Sequence, residues 1–530
     1  MKRVKYFIYP LLALWVISII WVNFHCAQWY QMDAYSTALL GRLIHDSKSF
    51  FPPDWIFSSA YYIIGTSNLS ALFYSFTNDS ITAMSFASTV NTLLILLSFY
   101  WCFRTTIEKK AMAVGLLCIA GGIVFGTSAI RYISGLQVLY TLGSYYACYL
   151  IVLLLTIGCW LRLKAGIIPW PMMVLTVILH FALGMHSLRA LLIINIPLLL
   201  IEFLLLFSKN RIDSASLQSR TFKPLVFVIA TILADVGGIA FVNSLNIPAT
   251  PVIEPVQLDL SISGIAAHFW ASTKNILRIS GMALAYDGLK YLPLSICAFF
   301  IALLIIWSLV RIIRTKDFSP LAQVIVFSLV SVLGVYFVGV FLMRTRDIYY
   351  FTYWFLATAS ILYTIGCIKI KYQLPLIGLL ASISLINYGY NFLPDYHDYR
   401  DNAKRVQEFT QSLIDRGVHV IYSDATPIFA ATSHDWILSQ SFWLDVKSKS
   451  GYPLSVFPSD KYVTAYHDDY YEGSLICFSD YTLRFIESED GKDFREELMS
   501  HLDFYDEFTL NKSRFLFYKP KEGQRIIQPL

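Results

Sequence analysis

Three short loops of this 530-residue chain carry basic side chains in otherwise apolar surroundings: Arg131 in "AIRYISG", His186 and Arg189 in "GMHSLRA", and Arg344 and Arg346 in "MRTRDIYY". A guanidinium group is permanently charged and planar and grips two phosphate oxygens at once, so this set suits an anionic lipid headgroup or a phosphorylated substrate. Snorkelling to outer headgroups, or pairing with Asp347 and nearby carboxylates, is the competing reading. A carboxylate, Asp33 in "FHCAQWYQMDAYSTALLGRLIHD", follows the first apolar run. It could act as a general base that deprotonates an acceptor hydroxyl while the arginines stabilise a phosphate departing from the far side of a sugar. It could also cap the helix that begins at "AYSTALL", and spacing alone favours the cap.

Two more ionisable residues, Asp235 in "TILADVGGIAF" and Glu202, fall inside apolar runs. Charges at membrane depth are functional hypotheses by default, with pairing between helices as the alternative. His180 reads as a hydrogen-bonded core histidine. The eight cysteines form no C-x-x-C pair, and most sit in apolar segments where cysteine behaves as a small hydrophobe, which argues against a zinc site. Cys26 and Cys477 alone fall in segments placed outside the membrane, so a disulfide between them is open.

The elements that must position these residues are membrane helices. With 56% hydrophobic and 15% charged residues the chain is too apolar for a soluble globular protein. A net charge of +5, with no basic run, gives no reason to expect a nucleic-acid partner. About eleven segments reach the roughly 20 apolar residues a spanning helix needs: 6–24, 81–103, 111–129, 138–160, 168–184, 188–207, 222–243, 291–310, 320–343, 348–367 and 373–391. The first has no A-x-A-like cleavage site and reads as a retained span.

Basic residues mark alternate gaps: Lys2, Arg3 and Lys5; Arg104, Lys109 and Lys110; Arg162 and Lys164; Lys209 and Arg211; Arg311, Arg314 and Lys316; Lys369 and Lys371. By the positive-inside rule those gaps and the N-terminus are cytoplasmic, and the arginine loops and the C-terminus lie outside. Two outer loops are long, 25–80 and 244–290. The first contains an amphipathic stretch with Tyr35, Leu39, Leu43 and Ile44 on one face, which suits a helix in the plane of the interface. A transmembrane module over 1–394 is then followed by an extracytoplasmic domain over 395–530. There "RDNAKRVQEFTQSLIDRG" reads as a helix stopped by Gly417. "VHVIYSD", "SLICFSD" and "RFLFYKP" read as strands, and "DFREELMSHL" as a helix, which together make a small α/β fold.

An acidic residue soon after the first span, an amphipathic helix beside it, many spans, outward arginines and an outer C-terminal domain together resemble the GT-C superfamily of integral membrane glycosyltransferases. The stretch "VHVIYSDATPIFAATSHDWILSQSFWLD" also resembles the tail domain of bacterial members. The resemblance implies inverting transfer of a sugar from a polyprenyl-phosphate-linked donor to a glycan or lipid acceptor outside the membrane. Asp33 would be the base, and Arg189, Arg344 and Arg346 would hold the lipid phosphate, with His186 assisting. Many members carry a second acidic residue beside the first, whereas Ala34 follows Asp33 here. A lone carboxylate beside arginines does not require a divalent metal, so no cofactor is expected.

A lipid or polysaccharide transporter or flippase is the main non-enzyme alternative, although the inverted repeats and paired broken helices of such proteins are not evident. A polysaccharide polymerase or ligase, or a receptor acting through the tail domain, remains open.

Overall fold

The computed structural model describes residues 2–25, 32–52, 57, 63–123, 146–207, 214–245, 247, 261–282, 288–341, 347–391 and 396–418 and, further on, 420–423, 438–445, 450–453, 474–479, 487, 496, 499–500, 502–510 and 513–521. Helices dominate the apolar part. They are α1 (Lys2–His25), α2 (Met32–Ser47), α3 (Thr66–Thr77), α4 (Ser80–Phe103), α5 (Lys109–Ile119), α6 (Ala147–Lys164) and α7 (Trp170–His186). A π-helical turn, Leu191–Asn195, then runs straight into α8 (Ile196–Phe207), followed by α9 (Ser214–Asn243) and α10 (Ile262–Ile279). Next come α11 (Leu292–Thr315), α12 (Pro320–Phe341), a 3-10 turn at Asp347–Tyr350, α13 (Thr352–Cys367) and α14 (Ile370–Asn391).

Among the described residues, seven helices are long and apolar enough to cross a membrane: Phe7–His25, Ser80–Phe103, Ala147–Lys164, Phe222–Asn243, Leu289–Thr315, Pro320–Phe341 and Ile370–Tyr390. The chain is a multi-pass membrane protein. The expected spans at 168–184 and 188–207 correspond to shorter apolar helices, Trp170–His186 and Leu191–Leu205. The one at 348–367 is α13, 16 residues long, and that at 111–129 is described mainly by α5. α13 has a distinct environment. It is buried along nearly its whole length, so protein rather than lipid surrounds it.

Polar side chains inside the bundle are aimed at partners, as a medium without water demands. Trp15 on α1 donates to Ser384 Oγ on α14 at 2.8 Å, and Trp354 on α13 donates to the Cys118 carbonyl at 2.7 Å. Asn387 donates to the Gly121 carbonyl at 3.0 Å, and Ser308 meets Thr364 at 3.2 Å. Arg162 is buried near the end of α6, where it donates to the Gly158 carbonyl at 2.8 Å and stacks 3.9 Å from the Trp101 ring.

Backbone contacts divide the chain into two compact units. One comprises Met1–Ile20, Thr89–Ser244 and Glu254–Asp395; the other comprises Trp21–Ser88, Leu245–Ile253 and Tyr396–Leu530. In the second unit, α2 does not simply present its apolar face to lipid. Leu39, Leu40 and Ile44 are buried against Phe57 and Ala71, with Leu43, Phe51 and Ile247 packed beside them. Gly41 makes the crossing with α3 possible, since a Cβ there would stand 2.8 Å from Ser70. The apolar stripe lies at helical spacing as expected, and it meets protein from its own loop and, through Ile247, from the second outer loop.

The tail begins with α15 (Tyr396–Asp415). It ends as expected at Gly417, whose φ of +80° is left-handed. Gly417 N–H bonds the Ile414 carbonyl (2.8 Å) and Val418 N–H the Leu413 carbonyl (3.0 Å), the Schellman pair that satisfies the last carbonyls. Six strands follow, β1 (Val420–Ser423), β2 (Leu438–Asp445), β3 (Ser450–Pro453), β4 (Ser474–Ser479), β5 (Leu502–Leu510) and β6 (Ser513–Pro520), in sheet order β3-β2-β1-β4-β6-β5. β1 is parallel to β2 and β4, while β3, β5 and β6 pair antiparallel. Val406, Phe409 and Leu413, on one face of α15, pack on Ile421, Leu475, Cys477 and Phe517 of the sheet. Cys477 is therefore in the tail core, and Cys26 lies outside the described residues. Of the expected helix "DFREELMSHL", Glu496, Met499 and Ser500 are described, as helix.

Candidate functional site

Helix α7 stops at His186 because Ser187 turns extended, with φ 179° and ψ 173°, and Ser187 N–H closes the last turn on the Leu183 carbonyl at 3.2 Å. Helix resumes at Arg189 and passes into the π-helical turn at Leu191. The short Ser187–Arg189 corner is pinned by its own hydroxyl. Ser187 Oγ accepts from Arg189 N–H at 3.3 Å and shares a 3.0 Å hydrogen bond with the Tyr149 hydroxyl of α6. His186 is buried, with the Tyr149 ring edge-on at 6.2 Å.

From this corner Arg189 reaches two aromatic rings. Its guanidinium carbon is 5.0 Å from the centroid of Tyr349 and 6.0 Å from that of Tyr146, with Nη2 at 3.5 Å from the Tyr349 hydroxyl. Tyr146 in turn lies against Tyr349 and Phe351. Cation–π contacts of this kind hold a planar cation in one orientation while leaving its in-plane N–H groups directed along the edge. An arginine so held can offer a two-pronged grip to an anion without first paying to order its long side chain.

Of the residues predicted from sequence, the structure brings His186 and Arg189 together on one corner. Arg344 and Arg346 lie outside the described residues, as does Arg131. Arg346 is nevertheless three positions before Tyr349 in the chain, and the 3-10 turn Asp347–Tyr350 that follows it is the element that touches Arg189. Asp33 is the second described residue of α2. Its side chain lies outside the described residues, and it belongs to the unit that contains the first loop, whereas Arg189 belongs to the other.

Tyr146, Tyr149, Ser187 and Tyr349 were missed by the sequence reading. The signal that could have found them is the aromatic clustering in "GSYYACY" and "DIYYFTYW" next to the basic loops, a composition typical of helix ends at a membrane interface.

The buried charges are paired. Asp235 meets His180 at 3.1 Å, as expected for a core histidine, and Glu202 meets Lys164 at 2.7 Å and accepts from Trp160 at 2.7 Å. A cavity of about 510 Å³ opens among Met173, Val177, Val226 and Phe227, with Trp170 and Lys223 also lining it. It is apolar, and it sits at the opposite end of α7 from His186. Among the described residues no three His, Cys, Asp or Glu side chains converge to hold a metal ion.

No family model matches the sequence, and no curated protein matches it. Solved structures do. ArnT from Cupriavidus metallidurans bound to undecaprenyl phosphate aligns over 99% of this chain and 100% of its own, with TM-score 0.53 at 10% identity. The apo state of the same protein aligns over 98% and 99%, with TM-score 0.55 at 10% identity. The Archaeoglobus fulgidus oligosaccharyltransferase aligns more loosely, over 96% of this chain and 72% of its own, with TM-score 0.41 at 12% identity. End-to-end agreement with ArnT, through the bundle and the tail alike, shows that this chain shares the fold of that protein.

Proposed function

We propose that the protein is a membrane glycosyltransferase that moves a sugar from a polyprenyl-phosphate-linked donor to a glycan or lipid acceptor on the outer face of the membrane, with inversion at the anomeric carbon. The observation that carries this reading is the placement of Arg189, held by Tyr146 and Tyr349 on a corner of the helical unit, in a fold shared with a protein whose structure was determined with undecaprenyl phosphate. Arg189, with Arg344 and Arg346 from the segment that joins the Tyr349 turn, grips the phosphate, and His186 lines the same corner. Asp33 takes the proton of the acceptor hydroxyl as that oxygen attacks the anomeric carbon. The bond to the phosphate oxygen breaks, and the arginines stabilise the charge left on the lipid phosphate.

Asp235 and Glu202 are each tied to side chains of neighbouring helices. The acid–base step needs one carboxylate and no metal, in keeping with Ala34 beside Asp33.

The test uses the purified full chain in lipid nanodiscs with a polyprenyl-phosphate sugar and an envelope glycan acceptor, with the product anomer read by NMR. Asp33→Asn should lower turnover by about 100-fold or more, the usual scale for a positioned base, and leave polyprenyl phosphate binding unchanged. A chelator should leave the rate unaltered. Retained turnover in Asp33→Asn, or a retained anomeric configuration, would overturn the mechanism.

A further inference from the structure

Asp235 stands on α9, 1% exposed, and its Oδ2 is shared by two side chains. His180 Nδ1 meets it at 3.1 Å from α7, and Asn195 Nδ2 donates to it from the end of the π-helical turn. His180 is six residues before His186, and Asn195 is six residues after Arg189. One carboxylate oxygen thus ties down both flanks of the corner that presents Arg189.

Each tie is itself fixed. His180 Nε2 meets Thr156 Oγ1 at 2.9 Å, and that hydroxyl donates to the Val152 carbonyl at 2.7 Å, so the ring is bonded on both nitrogens. Asn195 Oδ1 meets Thr231 Oγ1 at 3.1 Å, so the amide is held at its oxygen as well as at its nitrogen. Thr156, His180, Asn195 and Thr231 are all fully buried. The wide turn between them releases a carbonyl, Ile193, which accepts from Ser331 Oγ of α12 at 2.8 Å. Turns of this kind are frequent at functional sites, because the extra residue shifts the direction of what precedes it.

Close crossing of α7 and α9 does not need this network. Gly184 lies against the Asp235 carbonyl and Gly238 against the Phe181 carbonyl, so tightly that a Cβ at either would overlap the oxygen. Small residues alone suffice for such a contact between membrane helices. A chain of five buried polar side chains is costly there unless it does something else, and Asp235 Oδ1 has no hydrogen-bond partner among the described residues.

We propose that Asp235 is a positioning residue for Arg189: through His180 and Asn195 it fixes the two flanks of the Ser187–Arg189 corner and so aims the guanidinium at the donor phosphate. The inference rests on the phosphate-gripping role given to Arg189 above. It is tested by a double-mutant cycle on undecaprenyl phosphate affinity, using the full chain in nanodiscs with unfolding temperature as a check on folding. Arg189→Ala should weaken binding about tenfold or more, the loss of a charge-assisted contact. Asp235→Ala should weaken it at least about fivefold when Arg189 is present and not at all in the Arg189→Ala background. Asp235→Asn, which keeps the shape and an acceptor, should restore part of the loss. Equal weakening in both backgrounds, or none, overturns the positioning role.

A second measurement is independent of phosphate. Spin labels at Leu188 and Ile370, both exposed, should give a narrow distance distribution that Asp235→Ala broadens, while a control pair at Ile313 and Ile370 stays narrow. An unchanged Leu188 distribution sinks the proposal even if Arg189 binds phosphate. A broadened one with no effect of Arg189→Ala on affinity sinks the phosphate reading instead.

Discussion

Arg189 is the residue on which chemistry and structure meet. Its charge was legible in "GMHSLRA", and so was the mismatch between a basic side chain and its apolar surroundings. Its aromatic holders were not. Tyr349 is 160 residues away along the chain and reaches Arg189 only because the turn after α12 folds back to the corner after α7. Since planarity and two-pronged hydrogen bonding define the proposed role, Arg189→Lys keeps the charge and loses the fork. Affinity for undecaprenyl phosphate, measured by titration in nanodiscs, should fall about tenfold or more for Arg189→Lys, on the scale of a lost charge-assisted hydrogen bond. A lysine variant that binds as tightly as the parent would show that only a diffuse positive charge is needed there.

Between elements, two contacts make contrasting claims. The α7–α9 crossing depends on Gly238, where an added methyl meets the backbone carbonyl of Phe181, which cannot rotate away. Gly238→Ala should cost about 1–3 kcal/mol, the usual penalty of overpacking, read as a lower unfolding temperature in nanodiscs. The loop between α11 and α12 is held differently. Asp317 accepts from the Tyr363 hydroxyl and from Ser319 N–H, each at 2.7 Å. Partial burial pushes its pKa up, but these hydrogen bonds and the nearby Arg311 charge outweigh that and hold it below the ordinary carboxylate value. A depressed carboxylate stabilises the fold fully above its unfolded pKa of about 4, and loses that contribution as pH falls through the lower folded value. The gap in unfolding temperature between the parent and Asp317→Asn should therefore be full at pH 7 and shrink as the pH falls below about 4. A gap that stayed constant down to full acid unfolding, or widened on acidification, would contradict the assigned direction.

For the molecule as a whole, the alternation of basic gaps predicts which ends of the helices face the cytoplasm. A cysteine introduced at Ile167, in the gap with Arg162 and Lys164, should react with an impermeant maleimide only after the membrane is opened. One introduced at Ser263, at the start of α10, should react in intact cells. Both positions lie outside the spans, and the reverse pattern would place Asp33 and Arg189 on the wrong face for an outer acceptor.

The sequence by itself determined that this chain crosses a membrane many times and ends in a small α/β domain. It also located β1, β4, β6 and the Gly417 stop, because hydropathy, alternation and a left-handed glycine are local properties that survive in any packing. Among the described residues seven helices are long and apolar enough to cross a membrane, and the expected span at 348–367 contains α13, which protein encloses along nearly its whole length. β5 was hidden, because Asp503, Asp506 and Glu507 interrupt its alternation and only pairing with β6 makes it a strand. Tertiary structure alone decided that the apolar stripe of α2 packs on α3 and Phe57, that Tyr146 and Tyr349 hold Arg189, and that His180 and Asn195 share one oxygen of Asp235. Periodicity says which face of a helix is apolar or charged, but which partner that face meets is settled by packing among segments tens to hundreds of residues apart.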